Sequence, residues 1–402
     1  MSVDGAARIS RRRLLGAGIG GAAAVALGAS FLPDLLGGSD KPVASRAPAR
    51  VGGRTRDPHG YGPLGRPGEH GIALPEGFEA RLLARSGERV PGTSYVFHTA
   101  PDGAATFPVT DGGWIYASNS EVPGGVGAIR FNADGSIADA YPILKGTQYN
   151  CSGGATPWGT WLSCEEVPTG QVWECDPTGR HKAVARPAMG VFFHEAVAVG
   201  PAGRRIYMNE DKSDGGLYRF TPRRWGKLDS GLLEIATVSH GRVSWTRVPD
   251  PSGHSKPTRQ QVAMTPFLRS EGLTRIGRTL YIGTTLDSVL YAYDLRTGRI
   301  ERVYEAAASK HPPLTMIDQM TASPAGELFI AEDNEKPEFS IGVLDPPRSV
   351  TRFLTVSGPE HHGSELSGVA FNPAGTRFYF SSQRAFGNGA VYEVTGPFRR
   401  RL

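Results

Sequence analysis

The stretch His194-Glu195-Ala196-Val197-Ala198-Val199, followed after a short turn by Arg205-Ile206-Tyr207-Met208, decides the fold. An acidic residue precedes a short apolar run, and a second strand-like run follows the turn. Short apolar runs bounded by turn residues are typical of β-strands. Because the same arrangement recurs along the chain, it defines a structural repeat.

Five further copies of this repeat are present. Three clear copies begin at Ser270-Glu271-Gly272-Leu273, Ile317-Asp318-Gln319-Met320 and Ser364-Glu365-Leu366-Ser367-Gly368-Val369-Ala370, and two divergent copies contain Gly113-Trp114-Ile115-Tyr116-Ala117-Ser118 and Gly159-Thr160-Trp161-Leu162-Ser163. Repeats of roughly 40–50 residues, each a set of short strands, predict an all-β fold, a six-bladed β-propeller. The acidic residue would open the innermost strand of each blade. A ring of carboxylates would then meet at the central channel.

The composition also favours many short strands. The chain of 402 residues contains 53 glycines and 31 prolines, which interrupt regular structure often. The net charge of +5 comes from the N-terminal region, since residues 1–56 contain nine Lys and Arg and three Asp. The rest of the chain has a net charge of −1, which argues against a nucleic-acid-binding surface.

The N-terminal region has the form of a targeting segment. Ser10-Arg11-Arg12-Arg13-Leu14-Leu15 is followed by a Gly- and Ala-rich, weakly apolar stretch. We interpret residues 1–36 as a twin-arginine leader, with a membrane anchor as the alternative. The translocase would then be a transient partner, and the protein would be periplasmic, secreted or attached to the cell envelope. Residues 37–72 are predicted to form a flexible linker and residues 73–396 a single propeller domain, which we expect to be monomeric.

Three cysteines are present, which is an odd number for an exported protein. Cys164 and Cys175 lie on neighbouring strand-like segments and could form a disulfide across a hairpin. Cys151 would then be unpaired, either as a small buried thiol or as a functional group.

One block of sequence resembles a known family. Asn150-Cys151-Ser152-Gly153-Gly154, continuing without a gap through Thr156-Pro157-Trp158-Gly159-Thr160-Trp161-Leu162-Ser163-Cys164-Glu165-Glu166, is similar to the signature of the PhoX-type alkaline phosphatases. Later segments such as Phe193-His194-Glu195-Ala196 and Tyr207-Met208-Asn209-Glu210-Asp211 resemble motifs of the same family. The chain looks like a short member that lacks the family's long insertions.

The resemblance implies a six-bladed propeller with phosphomonoesterase activity. It also implies a mixed cluster of Ca²⁺ and Fe³⁺ in the channel, held by carboxylates and one cysteine thiolate. Hard cations such as Ca²⁺ prefer oxygen ligands, whereas a thiolate suits a transition metal such as iron. Such a cluster would neutralise phosphate oxygens and activate a nucleophile.

The family motifs and the repeat together give the candidate site residues. The predicted metal ligands are Asn119, Glu121, Cys151, Glu166, Glu195, Asp211, Glu271, Asp318 and Glu365. Arg384 is the candidate contact to a phosphate oxygen of a small phosphate ester substrate. For Asp318 and Glu365 the alternative is a structural role, in which the carboxylate accepts hydrogen bonds from backbone amides of a neighbouring blade. His194 and Glu165 alternate to the other face of their strands and are predicted to be structural.

Two other functions are compatible with a propeller of this kind. A calcium-dependent hydrolase such as a lactonase would need channel carboxylates but no thiolate. A non-catalytic propeller would use the metal for stability alone. We also predict that a strand near Phe78-Glu79-Ala80-Arg81-Leu82-Leu83 pairs with the last blade near Ala390-Val391-Tyr392-Glu393-Val394, and that residues 225–267 form an extra hairpin over one face.

Overall fold

The computed structural model describes residues 60–334, 336–345 and 349–400. The predicted leader, residues 1–36, and residues 37–59 of the predicted linker lie outside the described residues. In the described part of the chain, no helix is long and apolar enough to cross a membrane.

The described residues form twenty-six β-strands and six 3-10 helices of three residues each. The strands are β1 (Ile72–Ala73), β2 (Glu79–Arg85), β3 (Pro101–Pro108), β4 (Trp114–Ser120), β5 (Gly124–Phe131), β6 (Ile137–Thr147), β7 (Asn150–Ala155), β8 (Trp161–Glu165), β9 (Val172–Cys175), β10 (Val184–Ala185), β11 (His194–Gly200), β12 (Arg205–Glu210), β13 (Leu217–Arg224), β14 (Lys227–Ser239), β15 (Arg242–Arg247), β16 (Ser270–Ile276), β17 (Thr279–Thr284), β18 (Val289–Asp294), β19 (Ile300–Glu305), β20 (Ile317–Ala322), β21 (Leu328–Glu332), β22 (Glu338–Asp345), β23 (Ser349–Ser357), β24 (Leu366–Phe371), β25 (Arg377–Ser382) and β26 (Ala390–Thr395). The 3-10 helices are Pro187–Met189, Pro201–Gly203, Thr258–Gln260, Ala306–Ala308, Pro359–His361 and Ala385–Gly387.

These strands form six antiparallel sheets, which are the six blades of the predicted β-propeller. The strand orders from the inside outward are β3-β4-β5-β6, β7-β8-β9-β10, β11-β12-β13-β14-β15, β16-β17-β18-β19, β20-β21-β22-β23-β1 and β24-β25-β26-β2, numbered blades 1 to 6. Each innermost strand contacts the innermost strands of the blades before and after it, and β24 contacts β3, so the ring is closed.

The apolar core is divided into six clusters, one at each interface between adjacent blades. Between blades 5 and 6, for example, Phe329, Phe353, Phe371 and Phe378 pack edge to face at centroid distances of about 5–6 Å. Equivalent clusters fill the other five interfaces. Sheets buried on both faces in this way explain why the repeats have short continuous apolar runs.

The N-terminal part of the described chain completes the two last blades. Strand β2 pairs with β26, with Glu79 opposite Thr395 and Ala80 opposite Val394, which confirms the predicted closing strand. Strand β1 pairs with β23 of blade 5. Residues 60–72, which the sequence assigned to the linker, therefore contact the propeller: the Tyr61 hydroxyl also donates a hydrogen bond to Glu327 at 2.8 Å.

The segment of residues 225–267 begins with a hairpin that lies at the edge of blade 3. Strand β14 continues to pair with β13, and β15 pairs with β14, so the hairpin extends blade 3 at its outer edge. Because the backbone hydrogen bonds of β13 are satisfied in this way, the hairpin stays in the plane of the blade.

Candidate metal centre

The six innermost strands share a β-bulge near their start. In each strand two residues lie opposite a single residue of the second strand. The first bulged residue is Asp102, Cys151, Glu195, Glu271, Asp318 and Gly368 in blades 1 to 6, respectively. A bulge bends its strand and redirects its side chains. Five blades therefore direct a titratable side chain from the same structural position.

The backbone before four of these bulges is left-handed. Ala100, Tyr149, Arg269 and Met316 have φ values of 48°, 48°, 47° and 49°, and each is followed directly by an innermost strand. Residues other than glycine rarely adopt this conformation, which costs of order 1–3 kcal/mol. The surrounding fold therefore holds the chain in a sharp turn two residues before each of these channel side chains.

Five buried side chains form two groups that could each hold a metal ion. Asp102, Glu121 and Cys151 form one group, and Cys151, Glu166 and Glu195 form the other; within each group one ligand atom from every residue lies within 4.8 Å of the others. Cys151 belongs to both groups. Its Sγ donates a hydrogen bond to Glu195 Oε1 at 3.0 Å and lies 3.8 Å from Asp102 Oδ2.

The chemistry of these groups suits cations. Carboxylates gathered in a buried channel are costly unless their charge is compensated. Their oxygens are the ligands preferred by hard cations, and a shared thiolate is the ligand expected for a transition metal. The residues present therefore fit the metal cluster that the sequence predicts, with Asp102 as an additional member.

Asp102 is a site residue that sequence reasoning missed. The divergent first repeat was recognised by its second strand, Trp114–Ser120, and its innermost strand was not identified. The signal was nevertheless present, because Asp102-Gly103 resembles Glu271-Gly272 of blade 4. Both glycines allow close approach of the next blade: a Cβ on Gly103 would lie 2.5 Å from Ser152 Cα, and one on Gly272 would lie 2.3 Å from the Asp318 main-chain oxygen.

Asn119 was predicted to be a ligand, but the structure gives it a bracing role. Its amide nitrogen donates to the main-chain oxygens of Cys151 at 3.0 Å and Ser152 at 2.8 Å. Its amide oxygen accepts hydrogen bonds from Trp161 Nε1 at 2.8 Å and Ser163 Oγ at 2.9 Å. With both lone pairs of the oxygen used, Asn119 positions the strand that carries Cys151 instead of binding a metal.

Asn209 is the counterpart of Asn119 in blade 3. It also lies opposite the bulge of its own blade, and its amide nitrogen donates to Ser270 Oγ at 3.1 Å and to the Gly272 oxygen at 3.4 Å. An asparagine in the second strand of one blade thus braces the bulge of the next blade in two places.

Asp211 and Glu271 both form ion pairs with Arg269. Sequence reasoning did not identify Arg269 as a site residue. The guanidinium contacts both oxygens of Asp211 at 3.0 and 3.1 Å and also donates to Glu271 Oε1. Thr285 Oγ1 donates to the other oxygen of Glu271 at 2.8 Å. Asp211 and Glu271 are outside the two metal groups found among the described residues. The signal for Arg269 was its position, two residues before a channel carboxylate.

Arg384 lies beside the first metal group. Its Nη2 is 3.3 Å from Glu121 Oε2, and its side chain is 29% exposed. Gln383 precedes it and is fully buried, and its Nε2 contacts both Glu121, at 2.6 Å, and Asp102. Arg384 therefore combines contact with the centre and access to solvent, as its predicted role requires.

Asp318 and Glu365 are buried, but neither joins the two groups formed by the described residues. Asp318 occupies the bulge position of blade 5. Glu365 does not open the bulge of blade 6, because β24 begins at Leu366 and the bulge position is taken by Gly368. A side chain would not fit there, since a Cβ on Gly368 would lie 2.5 Å from Ser381 Oγ. The repeat was aligned three residues too early in this blade.

The remaining candidates have structural roles. His194 Nε2 donates to the Gly190 oxygen at 3.0 Å, and burial lowers the pKa of His194 to about 4, so the ring is neutral. Cys164 and Cys175 are free thiols and do not form the disulfide considered above. The strand register explains this, because Cys164 lies opposite Val172 and Cys175 opposite Trp161. Burial raises the pKa of Cys164 well above its usual range and that of Cys175 to about 12.

The fold and these side chains define a β-propeller with a carboxylate and thiol centre in its channel. The chain matches the family model described as alkaline phosphatase PhoX over residues 123–173 and 168–282. This match confirms the relationship to the PhoX family that the sequence motifs predict. The matched residues include Cys151, Glu166 and Glu195, whereas Asp102 and Glu121 precede them.

Solved structures of similar fold come from several bacteria. Pseudomonas fluorescens PhoX in complex with vanadate, a transition state analogue, is 16% identical, with 81% of this chain and 96% of that chain covered and a TM-score of 0.69. XC5397 from Xanthomonas campestris, described as a gluconolactonase, is 14% identical, with 85% and 99% covered and a TM-score of 0.51. A protein of unknown function from Bacteroides thetaiotaomicron is 10% identical, with 79% and 76% covered and a TM-score of 0.50. At these identities the likeness is one of fold. Among curated proteins, no sequence matches the chain.

Proposed function

We propose that the protein is an exported, metal-dependent phosphomonoesterase of the PhoX type. The observation that carries this proposal is the pair of buried groups that share Cys151. A thiol common to two sets of carboxylates is suited to a cluster of more than one metal ion. Most of these side chains lie in the part of the chain that matches the PhoX family model.

The centre would hold its metals through Asp102, Glu121, Cys151, Glu166 and Glu195. We assign Ca²⁺ and Fe³⁺ from the family resemblance and from the combination of oxygen and sulfur donors. When bound, the metals would supply positive charge for phosphate oxygens and would activate water for attack at phosphorus. Burial of the five side chains excludes bulk solvent, which strengthens these electrostatic interactions.

Two arginines would bind the non-bridging oxygens of the substrate. Arg269 is fixed by Asp211 and Glu271, and its side chain is 14% exposed, so its guanidinium is held in one place. Arg384 is held beside the centre by its contact with Glu121. Positive groups held in advance at the positions of developing charge stabilise a transition state without reorganisation. A small phosphate monoester is the substrate class that fits this arrangement.

Export would follow from the twin-arginine leader in residues 1–36, with the translocase as a transient partner. Folding before export is consistent with the chemistry of the described thiols: Cys151, Cys164 and Cys175 are all buried and reduced. We expect a monomer in the periplasm, at the cell envelope or outside the cell.

The test is metal analysis and p-nitrophenyl phosphate turnover on the same purified sample, produced in a host with a twin-arginine pathway. We expect iron together with calcium, and a loss of turnover of at least 100-fold in Cys151→Ser. Cys164→Ala is the matched control, because Cys164 is equally buried but belongs to neither metal group.

Two results would overturn the proposal. Phosphate ester turnover that survives Cys151→Ser would mean that the thiolate has no part in the chemistry. Lactone hydrolysis that survives the same substitution would identify a calcium-dependent lactonase. Calcium without iron, and no turnover on any phosphate ester, would identify a propeller that uses metal for stability.

A further inference from the structure

Gln383 places one amide nitrogen between two carboxylates of the centre. The residue follows β25 and is fully buried. Its Nε2 donates to Glu121 Oε2 at 2.6 Å and to Asp102 Oδ2. Its main-chain nitrogen donates to the Glu365 oxygen at 3.0 Å, which fixes the backbone from which the side chain extends.

The amide oxygen of the same side chain is differently placed. Gln383 Oε1 is buried and accepts no hydrogen bond from the part of the chain that the structure describes. A buried acceptor without a donor has given up its hydrogen bonds to water and gained none in return. The amide nitrogen of Gln383 therefore makes its hydrogen bonds, whereas its amide oxygen makes none within the described residues.

Gln319 provides a direct comparison, because it contacts the same carboxylate. Its Nε2 donates to Asp102 Oδ1, and its Oε1 accepts a hydrogen bond from the Gly368 nitrogen at 2.8 Å. Both ends of the Gln319 amide are satisfied, so its orientation is fixed. In Gln383 only the amide nitrogen is held by hydrogen bonds, so the orientation of its amide is less constrained.

We propose that Gln383 is a ligand of a hard cation, Ca²⁺, held between Asp102 and Glu121, and that its amide turns over when the cation binds. The terminal torsion of glutamine is broad and roughly two-fold, so a half-turn exchanges Oε1 and Nε2. After this half-turn the buried oxygen faces Asp102 and Glu121. Amide carbonyl oxygens are common calcium ligands, and Ca²⁺ takes six to eight oxygens in all.

Charge favours the turned amide once a cation is bound. A cation between Asp102 and Glu121 would repel the Nε2 hydrogens, whereas it would attract Oε1. The inference rests on the proposed metal centre and not on the reaction catalysed there. A protein that binds Ca²⁺ through Gln383 but hydrolyses no phosphate ester would leave it intact.

The test is titration with Ca²⁺ alone of the full chain after treatment with a chelator, followed by calorimetry and by the melting temperature. Gln383→Met keeps the size of the side chain but removes the ligand, and we expect it to raise the Kd for Ca²⁺ at least tenfold. Gln383→Glu keeps an oxygen and loses the donor, and we expect a Kd equal to or below that of the wild type.

The opposite pattern would overturn the proposal. If Gln383 served only to donate hydrogen bonds to the carboxylates, Gln383→Glu would weaken Ca²⁺ binding at least as much as Gln383→Met. Gln383→Asn, which withdraws the amide by one methylene, replaces the Met variant if that variant does not melt cooperatively, and we expect the same weakening.

Gln319→Met is the matched control. It removes a donor from Asp102 but no ligand, so we expect a lower melting temperature and a Kd for Ca²⁺ within threefold of the wild type. Equal weakening by Gln319→Met and Gln383→Met would show that both residues act only through the position of Asp102, and would reject the proposal.

Discussion

The side-chain amide of Asn119 donates a hydrogen bond to the main-chain oxygen of Cys151 at 3.0 Å, across the boundary between blades 1 and 2. The position of the thiol is therefore set by the neighbouring blade as well as by its own strand. Trp161 and Ser163 of blade 2 complete the link, because both donate to the Asn119 oxygen.

The first prediction concerns this link. Asn119→Asp replaces a donor by a carboxylate that faces the Cys151 oxygen, so we expect a loss of about 1–3 kcal/mol in the free energy of unfolding. We also expect weaker absorption from the iron–thiolate bond, because the strand that carries Cys151 shifts. Urea unfolding and visible absorption of the metal-loaded protein would measure the two effects.

Asn209→Asp is the control for Asn119→Asp. It removes the equivalent brace from blade 4, so it should cost similar stability while the iron–thiolate absorption remains. Equal loss of absorption in both variants would mean that the effect is one of general destabilisation.

The second prediction concerns Arg269. Arg269→Ala leaves Asp211 and Glu271 buried without their cation, which typically costs about 3–5 kcal/mol. We expect a loss in kcat/KM of at least 100-fold. Arg269→Lys keeps the charge but not the two-pronged contact with Asp211, so a smaller loss of about tenfold is expected.

Arg259 offers a matched comparison for Arg269. It also forms a buried ion pair, with Glu210 at 2.9 Å, but it contacts neither metal group. Arg259→Ala should therefore lower the melting temperature and leave kcat/KM within threefold. Similar losses in kcat/KM for the two alanine variants would remove Arg269 from substrate binding.

The sequence predicts the propeller and its closing strand well because both depend on local patterns. Short apolar runs at a regular period mark the blades, and they do not require knowledge of which blades touch. The site is harder to predict because its residues meet through the ring. The role of Asn119 depends on contacts with the next blade, which no local pattern encodes. The position of Arg269 before a channel carboxylate was a local signal, but its contact with Asp211 of the neighbouring blade was not.

Glu365 illustrates a different limit of the sequence. Glu365 and the apolar run after it match the sequence pattern of the repeat, yet the bulge of blade 6 falls at Gly368. The register of this bulge depends on packing against Ser381 of the next strand and against the main-chain oxygen of Asp102, which is distant in sequence. Asp102 was missed for the complementary reason, since its own repeat diverges in sequence but keeps the bulge.

The third prediction tests the close approach of the innermost strands. Gly103→Ala would place a Cβ 2.5 Å from Ser152 Cα and 2.8 Å from the Cys151 oxygen. Because backbone atoms cannot move aside easily, we expect a cost of about 1–3 kcal/mol and reduced iron content. Thermal unfolding and metal analysis would check this.

Gly203→Ala is the matched substitution for Gly103→Ala. Its Cβ would lie 3.8 Å from the nearest atom, so the free energy of unfolding should stay within about 0.5 kcal/mol. A Gly103→Ala protein as stable as this control would contradict the proposed close contact between blades 1 and 2.

The fourth prediction concerns pH. Burial lowers the pKa of His98 to about 4, and its ring contacts Ser118 Oγ at 3.2 Å and the Tyr95 hydroxyl at 3.3 Å. The unfolded chain has a His pKa near 6.5, so the unfolded state binds the proton more readily. The stability contributed by neutral His98 is complete above pH 6.5 and is lost as the pH falls toward 4, by about 2 kcal/mol at pH 5.

Melting temperatures between pH 7.5 and 5 would test the pH prediction. We expect His98→Gln, which cannot be protonated in this range, to show a weaker fall than the wild type. Parallel curves for the two proteins would exclude His98 as a source of the acid sensitivity.

Closure of blade 6 by β2 has a consequence for biosynthesis. Strand β2 precedes the other strands of blade 6 by almost 300 residues, so blade 6 is incomplete until β26 has also left the ribosome. The boundary between blades 6 and 1 also crosses the centre, since Asp102 belongs to blade 1 and Gln383 follows β25 of blade 6. A cation bound by both residues would hold the closed ring together, so metal capture would be coupled to the final step in the folding of the propeller.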